Sequence, residues 1–379
     1  MRRLLPLLCG LLLAACGQRA ARPIGDFTLP VYTPRYASGF EITGAAGSRS
    51  TLVTVHNPWY GDEVTDQYLF IARDGEPAPA GFEGQVLRDE TRRVVCMSGS
   101  YIAMLDALGA ADRVVGVSGA QYLINETLRR RIARGEAADV GFDSNVDFER
   151  LMALRPDLVM LFGIGGADTA LTGKLRELGI PYLYMGEHCE ESPLGKSEWV
   201  VVAAEIAGLR TEGSRLFAAI PERYERLRAL AQQTAARPRV MLNTPYRDTW
   251  FMPARNSYMV RLLEDAGARY VFEENTATQT LPIDIEQAYY LTSKSDFWLN
   301  VSGCNTLDEV RRQNPRLADT PPVREGRVYD NNRRRNATGG SDFWESGVLR
   351  PDRVLADLVH IFHPELSETD ELYYYRQLE

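Results

Sequence analysis

Between Val94 and Met185 short apolar runs alternate with stretches of helical period, and that alternation admits little other than a parallel sheet. Val94 to Met97 reads as a buried strand, Ser100 to Leu108 as a helix stopped by Gly109, and Val114 to Val117 as the next strand. The unit recurs: a helix from Val146 to Leu154 before Pro156, a strand at Leu158 to Phe162, a helix from Ala170 to Leu178 ended by Gly179, and a strand at Tyr182 to Met185. Parallel neighbours need crossovers that cover both faces, so residues 89–210 are expected to form a doubly wound α/β lobe.

After a helix at Ser197 to Ala207, the stretch from Glu212 to Gln233 keeps Leu216, Phe217, Ile220, Tyr224, Leu227 and Leu230 on one stripe. As a helix it would span about 30 Å, the width of a lobe, and residues 211–236 read as a linker. Pro221 should kink or restart it. Residues 237–379 resume the α/β pattern, with strands at Val240–Leu242, Thr249–Met252, Phe297–Val301 and Val328–Tyr329. Helices fall at Tyr258–Ala266 and Ile285–Leu291, and one from Asp352 to Phe362 closes the chain. The fold class is α/β: two doubly wound lobes joined by a long helix, with a ligand cleft between them. Residues 24–88 differ, with β-like runs such as Thr51–Val55 and Tyr68–Ala72, and predict a small antiparallel extension.

The chain begins with Arg2-Arg3, an apolar run from Leu4 to Leu13, and Leu13-Ala14-Ala15-Cys16. About a dozen apolar residues fall short of the ~20 that span a bilayer, so residues 1–15 read as an export signal closing on a lipobox. Cys16 then carries lipid, residues 16–23 form a polar tether, and the body is held outside the cytoplasmic membrane, facing the periplasm or the cell surface. Formal net charge is -8, which argues against nucleic acid as a partner. Of the 5 cysteines, Cys9 leaves with the signal, Cys96 sits in an apolar run, and Cys189 and Cys304 are free to pair in an oxidising compartment.

Catalytic and cofactor motifs are incomplete. Gly195-Lys196-Ser197 has Glu190 where a phosphate loop needs its first glycine, and the glycine-rich run at 163–168 lacks the third glycine of a dinucleotide fingerprint. Ser98 and Ser118 lack a full nucleophile-elbow frame, and no pair among the four histidines has the spacing of a zinc site. No catalytic residue, no metal site and no cofactor beyond the lipid is assigned.

Doubly wound sheets hold their ligands at the carboxyl ends of the strands. Read that way, Tyr101, Tyr122, Tyr246, Trp250 and Trp344 supply apolar walls for a bulky ligand, and Arg333 and Arg335 offset its charge. Arg93-Val-Val through Leu105, Arg113-Val-Val-Gly-Val117, and Phe148-Glu149-Arg-Leu-Met-Ala-Leu-Arg-Pro-Asp157-Leu-Val-Met resemble the helical-backbone (class III) substrate-binding proteins of ABC importers for iron complexes, haem and cobalamin. The resemblance runs from about Arg93 to Phe362. It implies a monomer that captures a metal chelate, either a ferric siderophore or haem, with cobalamin as the alternative. The chelate passes to a permease dimer and its ATPase. It further implies one glutamate at each lobe tip docking on the permease, Glu149 and Glu264. Tyr122 falls where haem-binding relatives place a ligating tyrosine, followed here by Leu123 rather than proline. An envelope serine hydrolase using Ser98 or Ser118, and an adhesion or sensory lipoprotein using the extension, are the competing readings.

Overall fold

The structure, a computed structural model, describes residues 21–60, 65–163, 169–247, 249–367 and 371–379. The signal segment and Cys16 lie outside these residues. The extension forms one five-stranded sheet, β1 (Leu29–Tyr32), β2 (Phe40–Gly44), β3 (Thr51–His56), β4 (Asp66–Ala72) and β5 (Gln85–Arg88), in that order. The first four strands pair antiparallel, but β5 joins β4 in parallel, so the sheet is mixed rather than purely antiparallel. Strand periodicity divides its apolar side chains. Phe40, Ile42, Val53, Val55, Leu69, Ile71 and Leu87 enter the main core, while Leu52 and Phe70 pack with Phe27 and Ala45 in a satellite cluster.

The first lobe contains β6 (Val94–Cys96), α1 (Gly99–Ala107), β7 (Val114–Val117), α2 (Glu126–Ala133), β8 (Ala138–Asp139), α3 (Phe148–Leu154), β9 (Leu158–Phe162), α4 (Ala170–Leu178) and β10 (Tyr182–Met185). Its sheet is entirely parallel, in the order β10-β9-β6-β7-β8. Cys96, Val117, Met160 and Leu183 face the main core, and Val95, Val115, Val159 and Leu161 face the opposite helical layer. Both faces are covered, as the continuous apolar runs require. The helix ends follow local chemistry: Thr169 and Thr172 form a capping box at α4, and Gly179 ends that helix at φ +65°.

Two short helices, α5 (Pro193–Glu198) and α6 (Val200–Ile206), lead to α7 (Arg210–Ala231), which carries the chain to the second lobe. Pro221 lies inside α7, so the helix does not restart there. A proline removes only one helix donor, and α7 is packed against both α6 and α13 (Pro351–Phe362), which support it on either side of that position. The second lobe comprises β11 (Arg239–Leu242), β12 (Pro245–Tyr246), β13 (Thr249–Met252), α8 (Tyr258–Asp265), β14 (Arg269–Tyr270), β15 (Leu281–Ile283), α9 (Ile285–Ser293), β16 (Phe297–Leu299), α10 (Leu307–Gln313), α11 (Pro321–Arg324), β17 (Val328–Asp330), α12 (Ser346–Leu349) and β18 (Arg376–Gln377). Its main sheet runs β14-β11-β16-β17-β18, parallel except for β18. The run at Thr249–Met252 belongs instead to a separate antiparallel sheet, β12-β13-β15.

Two buried carboxylates fasten the extension. Glu198 on α5, fully buried, accepts from the Tyr32 hydroxyl at 2.7 Å and from the backbone amides of Arg35, Tyr36 and Ala37 at 2.8 Å each. Glu190 accepts from the amides of Ser38 and Gly39 and from Trp199 Nε1 at 2.9–3.0 Å. Five consecutive amides are thus satisfied by two anions. At the other end, Gln67 and Gln85 side-chain oxygens accept from the Tyr184 and Tyr182 amides at 3.4 Å, which protects the edge strand β10.

Removing one acceptor strands several buried donors. At about 1–3 kcal/mol for each unsatisfied donor, Glu198→Ala should lose about 3 kcal/mol or more of unfolding free energy even with partial hydration. Glu177→Ala, on the exposed face of α4, should change it by less than about 0.5 kcal/mol. Urea unfolding of both variants measures the difference.

Candidate functional site

Segments that follow parallel strands of the two lobes meet: Gln121 to Asn125, after β7, contact Asn336 and Glu345, after β17. On the first lobe, β6 opens into Ser98, which caps α1, and Ser100, whose hydroxyl donates to Glu187 Oε1 at 2.9 Å. β10 ends at Gly186, followed by Glu187 and His188. Glu187 is buried, and burial pushes its carboxyl up to about 7. Lys196 on α5 is also buried; it donates from Nζ to the Glu187 carbonyl at 2.8 Å and lies 4.7 Å over the Tyr258 ring of α8. Burial lowers the ammonium to about 8. His188 packs on Phe162 with centroids 4.3 Å apart and the rings tilted by 38°, and pairs through Nε2 with the Gly163 carbonyl at 2.8 Å. Burial, with the Lys196 charge behind it, lowers its pKa to about 4, so the ring is neutral at pH 7.

On the second lobe, Asn243 and Asn300, the residues that leave β11 and β16, take left-handed φ of +66° and +62°, a conformation asparagine tolerates better than most side chains. A loop from Asn331 to Glu345 then crosses to the first lobe. Asn336 Nδ2 donates to the carbonyls of Gln121 and Leu123 at 3.0 and 3.3 Å, and the Thr338 hydroxyl also reaches Gln121. A side chain at Gly340 would meet the Tyr122 carbonyl at 1.6 Å, so only glycine fits that contact. Glu345, buried, accepts from the amides of Ile124 and Asn125 at 2.6 and 2.9 Å, placing an anion at the start of α2. Burial raises this carboxyl to about 7.

The expected wall residues divide into two groups. Tyr122, Tyr246 and Trp344 are 44%, 66% and 55% exposed. Tyr122 packs near Phe142 with centroids 6.2 Å apart, and Trp344 stands edge-on to Phe343 at 4.8 Å. Tyr101 and Trp250 are corrections. Tyr101 is buried on α1 with its hydroxyl on the Leu161 carbonyl at 3.2 Å. Trp250 is buried against Trp298, with centroids at 5.6 Å, and donates to the Leu242 carbonyl at 2.9 Å. Each sits at an inward-facing position of its element, so its ring packs the core. Arg333 pairs with Glu371 at 3.3 Å, Arg334 with Asp342 at 2.6 Å, and Arg335 is exposed beside a short bridge to Ser341. Glu149 is exposed in the first turn of α3; Glu264 is half-buried in an ion pair with Arg255. Cys96, Cys189 and Cys304 are all free thiols, so the bridge between the last two does not form. Sequence alone gave no sign of Glu345, whose amide partners lie 221 and 220 residues away.

The periplasmic binding protein family model matches residues 94–333. An uncharacterized lipoprotein of Methanocaldococcus jannaschii is 25% identical over 332 residues, covering 82% of this chain and 77% of that protein. Among solved structures, a periplasmic heme binding protein from Pseudomonas aeruginosa aligns at TM-score 0.58 and 20% identity, over 76% of this chain and 98% of the other. An ABC-type Fe3+-hydroxamate transport system protein from Saccharomonospora viridis aligns at 0.53 and 17%, over 72% and 94%. At these identities the structures establish the shared fold. The family model is that of periplasmic binding proteins, and the two solved structures are a heme binding protein and a protein of a transport system.

The raised Glu345 carboxyl carries a pH signature. A carboxyl whose folded pKa exceeds its unfolded value stabilises the fold at low pH and loses that contribution as pH rises through the folded value. For Glu345 the loss runs from its ordinary value of 4.5 to about 7. Glu187 acts in the same sense, and His188, lowered to about 4, acts in the opposite one below 6.5. Glu345→Gln should therefore lose less unfolding free energy than the parent between about pH 5 and 8. An equal loss of unfolding free energy in parent and variant, from urea unfolding at the two pH values, would remove Glu345 from this role.

Proposed function

The chain belongs to the periplasmic binding protein family, and from that premise we propose that it is the lipid-anchored receptor of an ABC importer for an iron complex, a ferric siderophore or haem. The observation that carries this reading is the set of exposed aromatic rings at the carboxyl ends of strands in two facing lobes, Tyr122 on one and Tyr246 and Trp344 on the other. Rings with a few polar neighbours suit a bulky conjugated or apolar ligand. Arg335, exposed in the loop that joins the lobes, supplies charge for an anionic chelate. Names among the similar structures, heme binding and Fe3+-hydroxamate transport, agree with this ligand class.

Lipid on Cys16 keeps the receptor beside its permease, raising the local concentration at which cargo is handed over. Glu149 and Glu264 dock the two lobes on the permease; for Glu264 this means exchanging Arg255 for a partner arginine. Release needs a modest lobe movement, which breaks the hydrogen bonds around Tyr122 and Glu345 and shifts the packing of α12 on α1 and α5.

Titration of the processed protein with haem, ferric siderophores and cobalamin, followed by tryptophan fluorescence, tests the ligand. Trp199, Trp250 and Trp298 are fully buried and Trp59 is partly so, so Trp344 should contribute a distinct share of the quenching, which disappears in Trp344→Phe. A response only to cobalamin selects the alternative cargo, and no response to any probe refutes the assignment. For docking, Glu149→Lys with Glu264→Lys should abolish cellular uptake while leaving chelate affinity within about twofold. Unimpaired uptake would free both residues of that role.

A further inference from the structure

We infer that the N-terminal extension forms part of the ligand site, with Tyr60 as its contacting ring, and that the ligand presents a planar conjugated face. This rests on the solute-binding reading above. The segment after β3 does not turn away from the first lobe. Pro58 is buried over the carboxyl ends of β9 and β10: a side chain on Gly163 would meet the Pro58 carbonyl at 2.7 Å, and one on Gly186 would meet its Cα at 3.5 Å. Those strand ends are where a doubly wound sheet receives its ligand. In this protein the extension has been laid across them.

What the extension places there is aromatic. Trp59 stands edge-on to Tyr184 with centroids 5.4 Å apart, and Tyr60 stands edge-on to His188 at 6.0 Å, with His188 itself packed at a tilt on Phe162. The Tyr60 hydroxyl donates to the His188 carbonyl at 2.7 Å, which fixes the ring before any ligand arrives. Its position borders the second lobe, since Asn256, which precedes α8, donates to Glu191, three residues beyond His188. Yet Tyr60 remains 65% exposed. A tyrosine anchored at its hydroxyl and bare over most of its surface, at the mouth between two lobes, is a stacking platform rather than a core residue.

The chemistry of the partner follows from the wall. His188 is neutral, Phe162 and Trp59 are apolar, and no cation is contributed by residues 57–60. This side of the site therefore recognises a conjugated surface such as a porphyrin, a corrin or a ferric catecholate. Charge on the ligand must be met elsewhere, and the loop carrying Arg335 lies on the other lobe.

The test compares the full processed protein with Tyr60→Ala, Tyr60→Phe and Tyr289→Ala, the last removing an exposed tyrosine of α9. Haem, a ferric catecholate, a ferric hydroxamate and cobalamin are the probes, with circular dichroism and melting temperature confirming that each variant is folded. The parent should prefer a conjugated probe. Tyr60→Ala should weaken that probe about tenfold or more, while Tyr60→Phe and Tyr289→Ala stay within about threefold. Parent binding unchanged in folded Tyr60→Ala overturns the inference alone, as does preference for the hydroxamate. A parent that binds no probe overturns the functional reading and this inference with it.

Discussion

The clasp of Glu198 and Glu190 on the amides of residues 35–39 is the interaction on which the rest of the arrangement depends. Two carboxylates inside a protein cost several kcal/mol each to desolvate, and only a full set of donors offsets that cost. Here the donors are the amides of residues 35–39 together with the Tyr32 hydroxyl and the Trp199 indole, so each group answers the other's need. Because Glu198 is on α5 and Glu190 precedes it, the clasp ties the extension to the helices that lead into α7. Phe40, edge-on to Trp199 at 5.1 Å, continues the same joint into the main core.

From that joint the extension runs along the first lobe rather than beside it. Gln67 and Gln85 close the β10 edge, and the stretch from β3 reaches the strand ends with Pro58, Trp59 and Tyr60. On the far side of the same lobe the loop from Asn336 to Glu345 binds Gln121 to Asn125 through backbone carbonyls and amides. The region between the lobes is thus bounded at one end by the extension and at the other by the second lobe. Buried carboxylates recur at each boundary, Glu190 and Glu198 at one and Glu345 at the other, and main-chain amides predominate among their donors. Contacts of that kind set position without long flexible side chains, which suits a site that must be shaped before ligand arrives.

Four strands of the first lobe were legible from sequence nearly to the residue, because runs such as Val114–Val117, Leu158–Phe162 and Tyr182–Met185 are apolar with sharp ends, whereas β8, two residues at Ala138–Asp139, carries no such run and was missed. The two-lobe plan followed from them. Pro221 does not restart α7 because helix continuity there is decided by packing on α6 and α13, which local propensity does not see. Tyr101 and Trp250 misled for a related reason: strand and helix ends hold both inward and outward positions, and an aromatic residue suits either. Glu345 and Tyr60 stayed invisible because their meaning lies in partners far along the chain. Glu149, Tyr122 and Trp344, by contrast, fall on exposed positions that short-range pattern identifies.

Anomalous diffraction at the iron edge, from crystals of the protein purified from iron-replete cells of its native host, examines ligand, site and extension in one map. The account predicts a single strong peak between the lobes, with density for a conjugated chelate against the Tyr60 ring and within reach of Trp344. A peak remote from the cleft, or an iron-free cleft in protein shown to support uptake of an iron complex, would contradict it.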